Sequence, residues 1–510
     1  MSLLGLDIGT TGCKAAVFST DGRMLASAYE EYNILSPQPG WVELDTLEVW
    51  EKIKRSIAGV VSRSSDDPVT SLAVSSLGEA VIPVDKGREV LGPSILNFDS
   101  RGEEYLERLG ALLEVEHLYR INGNTLGNQY SLTKLMWIKE HQTGLYAQTY
   151  KFLHWSSFVA FMLGADPVLD YSLANRTLLF DIDRETWSDE MIGLAGIDRA
   201  RLPVVVPSGT PIGFVNSHVA DELGLSPTVA IVAGAHDQCA NAVGCGVIED
   251  GLAVYGMGTY HCITPVFSSR REPSAMLVNG LSTEHHAVPG RFVCFIYNHG
   301  GTLVKWFRDT FAAVEHRQAQ LEERDIYSTL VSEMPERPSS VVVLPYFAPT
   351  GTPRFLTDNC GVVAGLHLDT SRGDILKGII EGITFYLKEC VVTLPATGIA
   401  IHDYRAVGGG SRSNAWIQIC ADILGQPISR PIITEAGALG AAMMAGVGSG
   451  VFPTYAESVA AMVRLERTFE PDPKQHERYA DRFELYKRLS PLIEGYLKDM
   501  HLSTHKSTVE

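Results

Sequence analysis

Short apolar runs closed by glycine-rich turns alternate along this chain with longer segments whose apolar residues recur every third or fourth position. LGLDIGTTGCKAAVF (4–18) predicts a strand over Leu4–Asp7, a Gly-Thr-Thr-Gly turn, and a second apolar run over Ala15–Phe18. GLAVYGMGTYHCITPVF (251–267) repeats that plan. SLAVSSL (71–77) and AIVAGA (230–235) read as strands, being short and rich in small or β-branched residues. GDILKGIIEGITFYLKECVVTL (373–394) spaces Ile375, Ile379, Ile383 and Leu387 as on one helical face, behind a cap at Thr370 or Ser371. This alternation predicts α/β layers with ligand sites at strand ends. The paired hairpins predict two related domains, 1–247 and 251–490, meeting at the polar, glycine-ended VIEDG. A tail, 491–510, is expected to be disordered from about Asp499. AGALGAAMMAGVGSGVF (436–452) is short and glycine-rich, which predicts a buried helix and a loop rather than a membrane span.

Composition narrows the picture. The 510 residues suffice for sizeable cores, and 45% hydrophobic with 20% charged residues fits an ordinary globular protein. Lys+Arg 42 against Asp+Glu 60 gives a net −18, which argues against nucleic acid or an anionic membrane as partner. An anionic ligand stays admissible, because backbone N–H groups and a metal bind phosphate locally. Eight scattered cysteines without a C-x-x-C pair read as free thiols in a reducing compartment. The chain enters a strand almost at its first residue, leaving no room for a signal peptide, so a cytoplasmic location is expected.

The hairpins then raise a chemical question. Neither has the Walker spacing nor G-x-G-x-x-G. Glycine removes the Cβ that would obstruct close approach of a phosphate to backbone donors, and threonine adds a hydroxyl. GTTG (9–12) and GMGT (256–259) both supply this, although a plain β-meander also uses Gly and Thr in its turns. Asp7 ends its strand where it can hold Mg²⁺ through water, and Lys14 can reach a phosphate oxygen. AVGGGSRSNAW (406–416) joins a strand to a helix capped by Ser411 or Ser413; its three glycines admit a flat ring or simply make a tight turn. In AIVAGAHDQCANAVGCG (230–246) a buried strand ends in His-Asp-Gln. Asp237 there can accept a proton from a substrate hydroxyl, or can merely cap a helix, and Gln238 can serve neighbouring hydroxyls. His236 lacks the partner spacing of a metal site and reads as structural; His285 and His286 read as part of a polar loop. Absence of G-x-S-x-G and C-x-x-C weakens hydrolase and thiol-redox readings.

Taken in order, these pieces resemble the FGGY carbohydrate kinases, of the actin/hexokinase/Hsp70 superfamily. The resemblance runs from Leu4 to about Leu489. LGLDIGTTGCKAAVF resembles the family's first phosphate hairpin, and PGWVELDTLEVW (39–50) its PGW-x-E-x-D-x-x-x-x-W element. ILNFDSRG (95–102) is similar to the W-x-D-x-R segment, with Phe98 where tryptophan is usual. CGVVAGLHLDTSRGDILKGIIEGITFYLKE (360–389) resembles the C-terminal signature. GGGSRSNAWIQICADILGQPI (408–428) and EAGALGAAMMAG (435–446) resemble the closing nucleotide-site motifs. The resemblance implies two RNase H-like domains flanking a deep cleft, with the sugar on the first and Mg-ATP on the second. It implies Asp237 as catalytic base, Asp7 organising Mg²⁺, and Thr10, Thr11 and Lys14 beside the transferred phosphate. Gly258 and Thr259 would grip the ATP phosphates, and Gly301, Gly409, Gly410 and Asn414 would frame the adenosine. It permits a homodimer.

Substrate signals are mixed. Gly78-Glu79 stands where xylulokinases carry Met-His. Glu79 and Asp237-Gln238 look like glycerol kinases, yet Gly78 replaces their arginine and Gln129 their tyrosine. Losing two bulky groups suggests a larger polyol, ketose or sugar acid than glycerol, and DYSLANRTLLFDIDRETWSDEM (170–191) reads closer to xylulokinases and gluconate kinases. Glu79 suits hydroxyls and disfavours an acidic substrate unless a cation sits nearby; its plain alternative is an exposed strand-end residue. The expectation is a xylulokinase-like sugar or polyol kinase, with glycerol or gluconate kinase activity as alternatives. An actin- or Hsp70-like ATPase and a silent sugar-binding regulator are the readings outside that class.

Overall fold

The computed structural model describes residues 1–357 and 359–506, with backbone alone for 501–506. The opening run folds as β1 (Ser2–Ile8), buried throughout except at Asp7, as befits a strand covered on both faces. It turns back antiparallel into β2 (Gly12–Ser19), with Asp7 opposite Lys14, and β3 (Met24–Glu31) follows. Helix α1 (Thr46–Ser62), capped by Asp45, leads to β4 (Val69–Ser76), which lies parallel to β1 with Ser75 beside Asp7. After the short helix α2 (Tyr171–Asn175) come β5 (Pro211–Phe214) and β6 (Ala230–His236), and β6 runs parallel to β4 with His236 beside Ser76. The first sheet has the order β5-β6-β4-β1-β2-β3. Its parallel core therefore gathers Asp7, Ser75 and His236 at one end, and α3 (Asp237–Gly244) starts there.

The second sheet repeats the arrangement. β7 (Gly251–Met257) turns back into β8 (Tyr260–Phe267), and short strands β9 (Glu284–His285), β10 (Phe292–Val293) and β11 (Ile296–His299) extend that edge. Helices α4 (Gly301–Phe311) and α5 (Arg372–Val391) follow; of the two expected caps Ser371 is the one used, in a reciprocal capping box with Asp374. β12 (Ile401–Val407) pairs parallel with β7, as β4 does with β1. Then come α6 (Asn414–Leu424), β13 (Ile428–Pro431), α7 (Ala436–Gly448) and β14 (Leu465–Phe469), giving the order β9-β10-β8-β7-β12-β13-β14 with β11 on β8.

Packing crosses between the halves. Residues Ala436–Gly446 of α7 are buried, as its apolar sequence predicts, but against the first half. A Cβ on Gly5 of β1 would lie 1.8 Å from the Ala438 carbonyl oxygen, and one on Gly440 would lie 1.9 Å from that of Ala240 in α3. Backbone meets backbone there, and glycine alone permits it. The segment around β9 is likewise bonded into the first half: Thr283 N–H donates to Gly123 O (2.7 Å), and His285 N–H to Asn175 Oδ1 (3.0 Å). His285 and His286 are thus buried, not in a polar loop as expected, because β9 carries them between the two halves.

The last helix, α8, spans Pro473–Lys506. Residues 491–506 continue it rather than forming a disordered tail, because Leu497 is buried against the second core; 507–510 lie outside the described residues. No helix among the described residues is long and apolar enough to cross a membrane.

Candidate active site

At the first hairpin, Gly9 N–H donates to Gly12 O (2.9 Å), and the Tyr32 hydroxyl reaches Gly9 O (2.5 Å) and Gly12 O (3.0 Å). Tyr32, unremarked in the sequence, so locks the turn from outside and leaves the Thr10 and Thr11 hydroxyls without hydrogen bonds among the described residues. Ser75 Oγ donates to Asp7 Oδ1 (2.7 Å), and burial raises the Asp7 carboxyl above its ordinary range. Lys14 does not stand free for a phosphate: its ammonium pairs with Glu435, at the entry to α7 from the other half.

Asp237 is the first residue of α3, while the capping position is His236, whose side chain makes no capping bond; the helix-cap reading of Asp237 is therefore set aside. The Asp237 side chain keeps 29% of its surface open, enough for a ligand to touch it. Gln238 hydrogen-bonds it, and His236 Nε2 stands 3.2 Å from its Oδ1. Burial holds the His236 imidazole neutral. His236 is buried, in keeping with the structural reading, and stands beside Asp237. Burial first, then the charges of Asp7 and Glu79, push the Asp237 carboxyl up to about 7. Asp7, Glu79 and Asp237 are thereby brought together.

Glu79 is 4% exposed and adopts φ 59°, so the exposed strand-end reading does not hold. Arg176, directly after α2, supplies the nearby cation that Gly78 had seemed to remove: its Nε donates to Glu79 Oε1 (2.7 Å). Nη1 of the same guanidinium donates to Glu284 Oε1 (2.6 Å), a residue of β9. A Cβ on Gly78 would press on the His236 (3.2 Å) and Arg176 (3.3 Å) side chains, which would have to give slightly. Gln129 is not brought into this cluster; it is exposed, and the neighbouring Tyr130 lies buried with its ring 5.1 Å from the Arg176 guanidinium.

The second hairpin collects the other glycines. Gly301 N–H donates to Gly258 O (2.9 Å) and Gly300 N–H to Thr259 O (3.0 Å). A Cβ on Gly408 would come within 3.2 Å of Gly258 N, whereas one on Gly409 would meet nothing within 4 Å, leaving a bare backbone face. Thr259 and Asn414 are exposed beside it, and Ser413, one of the two expected caps, caps α6. The starts of α4 and α6 thus flank the hairpin; the Gly301 and Thr302 N–H groups of α4 are taken by the Gly258 and Thr259 carbonyls, so it is the positive ends of the helix dipoles that favour an anion there. Among the described residues no three His, Cys, Asp or Glu side chains are placed to hold a metal by themselves. Asp7, with Ser75 on Oδ1 only, fits Mg²⁺ that keeps water and phosphate oxygens as its other ligands.

Comparison with known proteins gives the family and the fold. A xylulose kinase of Bacillus subtilis (strain 168) is 27% identical over 494 residues, 96% of each chain. An autoinducer-2 kinase of Escherichia coli (strain SMS-3-5 / SECEC) is 29% identical over 497 residues, covering 94% of this chain and 92% of its own. The solved xylulose kinase from Rhodospirillum rubrum superposes with a TM-score of 0.86 at 25% identity, over 98% of this chain and 100% of that one. It shares the two-domain, actin/hexokinase-like architecture expected from the sequence. Residues 2–244 match the N-terminal domain, and residues 256–449 the C-terminal domain, of the FGGY family of carbohydrate kinases. The chain belongs to that family and is an ATP-dependent carbohydrate kinase.

Proposed function

We propose that this kinase transfers the terminal phosphoryl group of ATP to a hydroxyl of an uncharged ketose or polyol, a xylulose-like ketose foremost, with Asp237 as general base. The observation that carries the reading is an open carboxylate held near neutrality between Asp7 and Glu79. A base with its pKa near the working pH is deprotonated often enough to act and basic enough to take a hydroxyl proton. The full-length similarity to xylulose kinases supports the ketose, and the clustered carboxylates weigh against a sugar acid.

Asp237 would accept the proton of the attacking hydroxyl while Gln238 holds its carboxylate in place. Glu79 would bind a second hydroxyl. The first hairpin, with Thr10, Thr11 and Lys14, would receive the transferred group, Lys14 exchanging Glu435 for phosphate oxygens as the cleft closes. Gly258, Thr259, Gly301, Gly409, Gly410 and Asn414 would hold the nucleotide. Mg²⁺, when bound at Asp7 with the nucleotide, supplies neutralisation of the phosphate charge. The buried free thiols suit a reducing cytoplasm.

The test is coupled ADP release across ketopentoses, tetritols, hexitols, glycerol and aldonates. One uncharged compound should raise turnover by orders of magnitude; equal ATP hydrolysis whatever is added would put an ATPase in its place. With that acceptor, kcat/KM should fall about tenfold per pH unit below roughly 7, because only ionised Asp237 accepts the proton. A flat acid limb down to pH 5 would remove Asp237 from the role. EDTA should abolish turnover and excess Mg²⁺ restore it; turnover indifferent to EDTA would dismiss the ion at Asp7.

A further inference from the structure

Resting on that reading, we infer that Glu79 is a specificity gate: it occupies the carboxylate-binding edge of Arg176 and so reserves the site for uncharged acceptors. A guanidinium receives a carboxylate best along its Nε–Nη2 edge, where two parallel N–H groups match two oxygens. Here Glu79 covers that edge, taking both Nε (2.7 Å) and Nη2 on its Oε1. Nη1, on the far side, is taken by Glu284 (2.6 Å). One positive charge therefore faces two negative ones, with Asp237 close enough to feel Glu79. The rings of Tyr130 and Phe295, 5.1 and 5.9 Å from the guanidinium, help fix it in place. The trio is sealed: side-chain exposure is 15% for Arg176, 5% for Glu79 and 1% for Glu284. An aldonate arriving beside Asp237 meets net negative charge and a filled edge. Remove the Glu79 side chain, and the same arginine presents an empty fork.

Glycine is the natural replacement, because residue 79 already has φ 59°. The experiment compares kcat/KM for the best uncharged acceptor and for an aldonate of the same length, in the parent, Glu79→Gly and Glu79→Gly/Arg176→Gln. Glu79→Gly should move the ratio toward the aldonate by about 10- to 100-fold, the size of one charge-assisted contact. Adding Arg176→Gln should cancel the gain. Nucleotide affinity, read by ADP titration, reports folding separately; should Glu79→Gly not fold, the isosteric Glu79→Gln is read instead, with a smaller shift in the same direction. A ratio that does not move in a variant binding ADP normally overturns the inference. So does a gain that survives loss of Arg176, or a parent enzyme that already prefers the aldonate. If the parent turns over no acceptor at all, the kinase reading itself fails.

Discussion

Asp237→Asn lowers kcat by about 10²- to 10⁴-fold, the range of a lost general base, with the acceptor KM nearly unchanged. Asparagine keeps the size of the side chain and its contacts with Gln238 but takes up no proton. A second readout separates chemistry from structure. The Asp237 carboxyl is raised in the folded protein to about 7, against an ordinary 3.8. The folded state therefore binds more protons than the unfolded state between those values, and stability falls as pH rises through that window. At pH 8 the full penalty is present, so Asp237→Asn should melt higher than the parent while being nearly inactive. A kcat within tenfold of the parent would end the assignment. A loss of activity together with a lower melting temperature would mean that asparagine damages the site rather than the chemistry.

Gly440→Ala carries the largest expected cost to stability. The added methyl would lie 1.9 Å from Ala240 O and 2.8 Å from its carbonyl carbon, both backbone atoms in the neighbouring helix α3. No rotamer relieves that overlap, so α7 must lift from α3. The cost should reach the upper end for overpacking, about 3 kcal/mol, or over a hundredfold in the folded-to-unfolded ratio. Gly59→Ala is the matched comparison. It also lies inside a helix, α1, but its methyl meets nothing within 4 Å. There the usual helix preference should act alone and stabilise by about 0.5–1 kcal/mol. Urea midpoints give both signs in one series. Two variants displaced in the same direction would show that α7 is not seated as described.

What the sequence disclosed was local. Each glycine hairpin is written in consecutive residues, and so are the Ser371 cap, the buried character of 436–446 and the His-Asp-Gln strand end. Asp237 was recognisable for that reason, and its neighbours were not. Arg176 reaches Glu79 across 97 positions and Glu284 across 108, and Lys14 reaches Glu435 across 421. No periodicity spans such distances. Composition placed Glu79 without its counter-ion, and the charge argument built on a missing arginine had to be revised when the guanidinium arrived from another segment. Gln129 misled differently: position in a motif suggested a ligand, but the neighbouring Tyr130 is the side chain packed toward Arg176. The apolar run of α7 announced burial, though not which half would bury it.

The seating of α7 bears on cooperativity. In chain order this helix belongs to the second sheet, yet its apolar surface is covered by β1, β4 and α3 of the first. Each half also has a core of its own, but α7 and the faces of β1, β4 and α3 that it covers cannot stay buried while the other half is unfolded, so the unfolding of one half is coupled to that of the other. A chain whose family signatures come in two pieces is thus tied across them by one helix. Any movement of one half against the other has to bend around this shared helix, because parting from it would expose the core.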